Sequence, residues 1–132
     1  MTNNYETYEV RVFPGGSKEW YQKGKLHRLD GPAFEGSSGT KSWYQNGKLH
    51  RLDGPACEYS DGSKWWYQNG KRHRLDGPAF EGSNGSKAWW IEGKQYTEQD
   101  FNQKVKELTN PTCNGKVVEI EGKKYRLQLI ED

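Results

Sequence analysis

Cysteine, methionine and long apolar runs are all scarce in this chain of 132 residues, which has two Cys and one Met. No apolar run approaches the roughly 18 residues that a membrane helix needs. Cys57 and Cys113 lack the paired spacing of a metal or redox motif. The opening stretch MTNNYETYEV has neither a basic start nor an apolar segment, so no secretion signal is expected. These absences point to a soluble, reduced, cytoplasmic protein. With 31% hydrophobic and 29% charged residues, one small domain with a thin core is expected. Aromatics therefore have to supply most of the burial. Six Trp and eight Tyr stand in for the missing aliphatics, each buried ring contributing roughly 25 cal/mol per Å² over about 150–250 Å². Net charge is only +2, and residues 16–96 hold 13 Lys and Arg against 9 Asp and Glu. That excess is too small for a nucleic-acid footprint, yet it leaves room for a phosphorylated small molecule or an acidic protein patch.

What the chain does have is repetition. HRLDGPA occurs at 27–33, 50–56 and 73–79, each copy preceded seven residues earlier by Trp20, Trp43 or Trp66. The period is 23 residues, and Trp89 opens a fourth unit that keeps Gly93-Lys94 but loses the heptapeptide. A residue that recurs in every unit stacks units, whereas a catalytic residue is needed once.

Two turn signals recur in each unit: Lys23-Gly24, Asn46-Gly47 and Asn69-Gly70, then Ser38-Gly39, Asp61-Gly62 and Asn84-Gly85. Between them a meander of short antiparallel strands is expected, after a first edge strand in which Tyr8, Val10 and Val12 alternate with Glu9, Arg11 and Phe13. Two-residue turns pair Tyr44 with Leu49, Trp43 with His50 and Cys57 with Trp66. That register gathers Trp20, Trp43, Trp66 and Trp89 with Phe34, Cys57, Phe80, the three His and Leu29, Leu52 and Leu75 on one buried face. It leaves Tyr21, Tyr44 and Tyr67 on a wetter face, with Arg28, Arg51 and Arg74 at its margin. Gly31, Gly54 and Gly77, each before Pro, are expected at positive φ.

Thr97 caps an expected helix in which Phe101, Val105 and Leu108 form one stripe ending before Pro111. Segments 116–120 and 123–129 flank Glu121-Gly122 as a last hairpin, and Cys113 is expected to be a loop thiol. The organisation is a repeat sheet over 1–96 and a capping helix plus hairpin over 97–132.

The unit W-Y-x-N-G-K-x-H followed by a second hairpin turn resembles the MORN repeat, over residues 18–94. The resemblance implies a mainly β protein, a meandering antiparallel sheet of hairpin repeats with one short C-terminal α-helix and a final β-hairpin. Here R-L-D-G-P-A replaces the glycine-rich step common in that family, which favours scaffolding and protein contacts over phospholipid binding. Units of the HRxDGPA type are similar to those of short bacterial and bacteriophage proteins.

The three His lie on different hairpins with no recurring Cys or carboxylate beside them, so stacking on Trp and donation to backbone explain them better than a metal. Asp30, Asp53 and Asp76 precede Gly-Pro, where Asx turns account for them. No unique nucleophile with a base and no phosphate loop stands out, so neither an enzyme nor a cofactor is expected. The third unit departs from the pattern: Trp65 replaces Glu19, Ser42 or Ala88, and Arg72 replaces Leu26 or Leu49. Trp65, Tyr67, Arg72 and Arg74, with Tyr44 and Arg51, form the candidate binding surface, because Trp, Tyr and Arg dominate interface hot spots. The leading expectation is a non-enzymatic protein-interaction module, an accessory protein that binds and inhibits a host factor, in the host cytoplasm if phage-encoded. The alternative is a small-ligand binder that sequesters a phosphorylated nucleotide. The partner is another protein, host or self, and homo-oligomers are compatible with a free strand edge.

Overall fold

A computed structural model describes residues 7–109 and 117–126. The chain is mainly β: an antiparallel sheet of hairpins, one helix at Glu98–Thr109 and a final hairpin. It divides into two compact units, 1–95 and 96–132. Cys113, Pro111, residue 116 and residues 127–129 of the expected last strand lie outside the described residues, as do residues 1–6.

The turn chemistry builds the first unit. At Lys23-Gly24, Asn46-Gly47, Asn69-Gly70 and Glu92-Gly93 both residues have positive φ, between 49° and 83°, the two-residue turn whose twist matches the flanking strands. The expected pairing follows: Tyr44 faces Leu49, Gln45 faces Lys48, and the His50 N–H donates to the Trp43 carbonyl at 3.0 Å.

The second turn class differs from expectation. Tyr59 N–H donates to Ser63 O and Gly62 N–H to Tyr59 O, so Ser60-Asp61-Gly62 is a three-residue loop with only its Gly at positive φ. One extra loop residue slips the register by one, and a slip of one exchanges the faces. Cys57 therefore faces Trp65 and Ser42, not Trp66. Across the sheet one row runs Glu19, Phe34, Ser42, Cys57, Trp65, Phe80, Ala88. The adjoining row alternates Lys18, Glu35, Lys41, Glu58, Lys64, Glu81, Lys87, opposite charges directly across from one another. Phe34, Cys57 and Phe80 thus lie on the Tyr face, and Trp20, Trp43 and Trp66 on the other.

Ten strands form the main sheet, with Glu9–Val12 at one edge beside Lys18–Gln22. The core is thin: Ala33, Ala56 and Ala79 are completely buried, with Cys57, Ile91, His27, His73 and Ser42 nearly so, and no large side chain among the described residues is fully buried. Leu29 and Leu52, expected inside, are 65% exposed. Each buried Ala carbonyl accepts the N–H of Trp20, Trp43 or Trp66 at 2.8 Å. In the second unit, Thr97 Oγ1 accepts the Asp100 N–H at 3.1 Å, the expected cap, and Phe101 is buried.

Candidate functional site

The heptapeptide resolves into architecture. Arg28, Arg51 and Arg74 stack on Trp20, Trp43 and Trp66 with the guanidinium carbon 4.0, 3.8 and 3.9 Å from the ring centroid. They therefore stand on the Trp face and do not border the tyrosines. In each, Nε donates to Asp30, Asp53 or Asp76 at 2.8–2.9 Å, and Nη1 donates to the carbonyl of Pro32, Pro55 or Pro78 and reaches Glu35, Glu58 or Glu81. The aspartates serve these arginines; the Asx geometry appears instead at Asp61 and Asn84, whose Oδ1 atoms accept from Ser63 and Ser86. Gly31, Gly54 and Gly77 are not at positive φ. A Cβ there would stand 3.0, 3.0 and 2.9 Å from the guanidinium carbon, so glycine makes room for the stacked arginine.

The histidines couple successive units. Nδ1 of His27, His50 and His73 accepts the backbone N–H of Asn46, Asn69 and Glu92 at 3.0 Å, the first turn residue of the next unit. They accept from backbone where donation was expected. For His73 a Glu92 carboxylate oxygen also lies 3.5 Å from Nδ1. The same nitrogen cannot accept from the N–H and donate to the carboxylate at once. The identical bond in the two units whose turn residue is Asn decides for acceptance. Arg28 and Arg51 N–H groups donate to Tyr44 and Tyr67 carbonyls, and Gly47 and Gly70 N–H groups to Leu26 and Leu49, completing the seam.

Asp30 and Asp53 carboxyls are held below the ordinary range, first by the hydrogen bond from Arg28 or Arg51 and then by its charge; backbone and side-chain donation from Ser63 does the same for Asp61. A depressed folded value stabilises the fold above the ordinary carboxylate pKa of about 4 and loses that contribution as pH falls through the folded value. Stability should fall below about pH 4, and Asp53→Asn should reduce that fall, measured by urea unfolding at about pH 5 and pH 3. The aspartates are solvent-exposed, so the change is modest.

On the opposite face, Trp65 and Tyr67 share a side of the strand, and Tyr67 pairs with Arg72 across the turn. The exposed Arg72 guanidinium lies 4.6 Å from the Trp65 ring and 5.1 Å from the Trp90 ring, and Nε donates to Tyr67 Oη at 3.3 Å. Trp65 also packs on Phe80 at 4.3 Å and Trp90 at 5.5 Å. Trp65, Tyr67 and Arg72 are thus brought together. Tyr44 shares their face one unit away, where burial raises its pKa. Arg51 and Arg74 lie on the other face. Trp90 is the member that sequence reasoning missed; it occupies the position of Tyr21, Tyr44 and Tyr67 in the fourth unit.

Arg11, Arg28, Arg51 and Arg74 each pair with a carboxylate, whereas Arg72 forms no ion pair among the described residues. A cleft of about 550 Å³ lies on the Trp face, lined by Arg28, Asp30, Trp43, His50, Arg51 and Asp53. Its arginines are committed to carboxylates and carbonyls, and Asp30 and Asp53 rim it with negative charge, which disfavours a phosphate. Cys57 is nearly buried between Ser42 and Trp65, and that burial raises its thiol pKa, which disfavours the thiolate. Among the described residues no three His, Cys, Asp or Glu side chains converge as metal ligands, and no helix is long and apolar enough to cross a membrane. No family model, curated protein or solved structure matches this chain.

Proposed function

We propose that this chain is a non-enzymatic protein-interaction module that contacts its partner through Trp65, Tyr67, Arg72 and Trp90. The observation that carries the reading is Arg72, an exposed guanidinium over two indole rings that pairs with no carboxylate among the described residues. The repeat does not require this arrangement, since the second unit keeps the same strands with Ser42 and Leu49 at the corresponding positions. The partner surface that fits offers a carboxylate to Arg72 and an apolar or aromatic side chain to the indoles. The HRxDGPA units, similar to those of short bacterial and bacteriophage proteins, make a cytoplasmic host factor the proposed target and its inhibition the proposed effect.

The test returns the cluster positions of the third and fourth units to the pattern of the second: Trp65→Ser, Arg72→Leu and Trp90→Tyr together. These residues already stand at the equivalent positions 42, 49 and 44, so the sheet is kept while the cluster is removed. In affinity capture from bacterial lysate, one stoichiometric protein should bind the wild type and be lost from the variant, with circular dichroism unchanged. Equal capture by both would overturn the assignment.

A further inference from the structure

The strand Glu9–Val12 ends the sheet, and among the described residues only Lys18–Gln22 pairs with it. The direction of its free backbone groups follows from the ladder. Phe13 N–H donates to Ser17 O at 2.9 Å, so Phe13, Arg11 and Glu9 turn their backbone groups inward. Antiparallel ladders alternate, which turns the N–H and C=O of Tyr8, Val10 and Val12 outward to the open edge.

The side chains alternate in step. Tyr8, Val10 and Val12, 39%, 46% and 65% exposed, lie on the face of Trp20, while Glu9 and Arg11 lie on the other. Five residues thus read apolar, acidic, apolar, basic, apolar, with no proline and no lysine inside the strand to block an approaching edge.

We propose that this edge pairs antiparallel with the same edge of a second copy, about a twofold axis through Val10. Only registers that set outward groups opposite outward groups form a ladder, and the charges choose among them. An axis at Glu9 sets Glu9 against the partner's Glu9, and an axis at Arg11 sets Arg11 against the partner's Arg11, both repulsive. With the axis at Val10, Glu9 faces the partner's Arg11 twice, Tyr8 faces the partner's Val12 twice, and Val10 meets the partner's Val10. The apolar residues then form a continuous stripe beside Trp20, and two sheets join into one. This inference is independent of the Trp65 and Arg72 surface.

The test is the mass of the full chain in solution by light scattering and sedimentation. The wild type should show a dimer, twice the 15.3 kDa chain. Arg11→Glu should weaken dimerisation by at least about tenfold, through four like-charged neighbours in place of two attractive pairs, and Glu9→Arg combined with Arg11→Glu should restore it. Because Arg11 also lies over Tyr21 and opposite Glu19, a second variant separates pairing from folding. Val10→Pro removes an N–H that points outward, so it should give a folded monomer with unchanged circular dichroism. A wild-type monomer at high protein concentration, a dimer that survives Val10→Pro, or a double charge exchange that stays monomeric would each overturn the proposal.

Discussion

Trp66→Ala should lower the unfolding free energy by about 3 kcal/mol or more, the usual range for loss of a large packed aromatic. The ring is the plate on which Arg74 lies at 3.9 Å, and Arg74 in turn holds Asp76, the Pro78 carbonyl and Glu81. Removing the ring leaves a guanidinium that is only 20% exposed beside a void, with its stacking lost. The surrounding core offers little compensation, since the fully buried side chains nearby are alanines. In a stacked array each unit leans on its neighbours, so the loss spreads to the seams with the second and fourth units. A protein of this size has about 5–15 kcal/mol in total, so the change should be evident as a much lower urea midpoint. Trp66→Phe, which keeps a face for Arg74, should cost clearly less. A midpoint unmoved by Trp66→Ala would mean that the stacked arginine is decoration on a sheet held by its backbone alone.

How far the sequence discloses this arrangement depends on the turn. Asn46-Gly47 and its equivalents permit essentially one hairpin, and the pairs Tyr44 with Leu49 and Tyr67 with Arg72 follow directly. Trp65, Tyr67 and Arg72 are consequently legible as a cluster, two residues apart on a strand and opposite across a two-residue turn. Asp61-Gly62 looks like the same signal but closes a three-residue loop, because only the glycine takes positive φ. The difference of one residue cannot be read from an Asp-Gly pair, and it reverses which face Cys57, Phe34 and Phe80 occupy. The arginines of HRLDGPA are misplaced for a separate reason: alternation continued past Leu49 sets Arg51 beside the tyrosines, but the strand Lys48–Leu49 ends there and the guanidinium lies over Trp43. A sequence signal for the true position exists in the glycine three residues after each arginine, whose missing Cβ is needed only if the guanidinium folds back over it. The fold class and helix cap survive the error because they depend on local chemistry, as with Thr97 and Asp100.

The histidine seam gives the second large effect, and it separates a hydrogen bond from packing. His73→Phe keeps a planar ring of similar bulk in a site that is 4% exposed but removes the acceptor for the Glu92 N–H. A backbone donor deprived of its partner in a part-buried bond such as this one costs up to about 1–3 kcal/mol. The same change at His50 should cost less. His50 makes the equivalent bond to Asn69 N–H, but its ring is only half-buried and the bond is exposed, so water replaces the imidazole more readily than at His73. The order of losses therefore tests the role: His73→Phe should lower the urea midpoint more than His50→Phe, and hydrogen exchange at the Glu92 amide should speed up in the former. If the two substitutions cost the same, or if phenylalanine is neutral at both, the histidines act as ring spacers between tryptophan and turn. If the order holds, the first residue of HRLDGPA is the clamp that fastens each unit to the turn of the next, which is why it recurs in the three units that have a successor and is replaced by Tyr96 in the fourth.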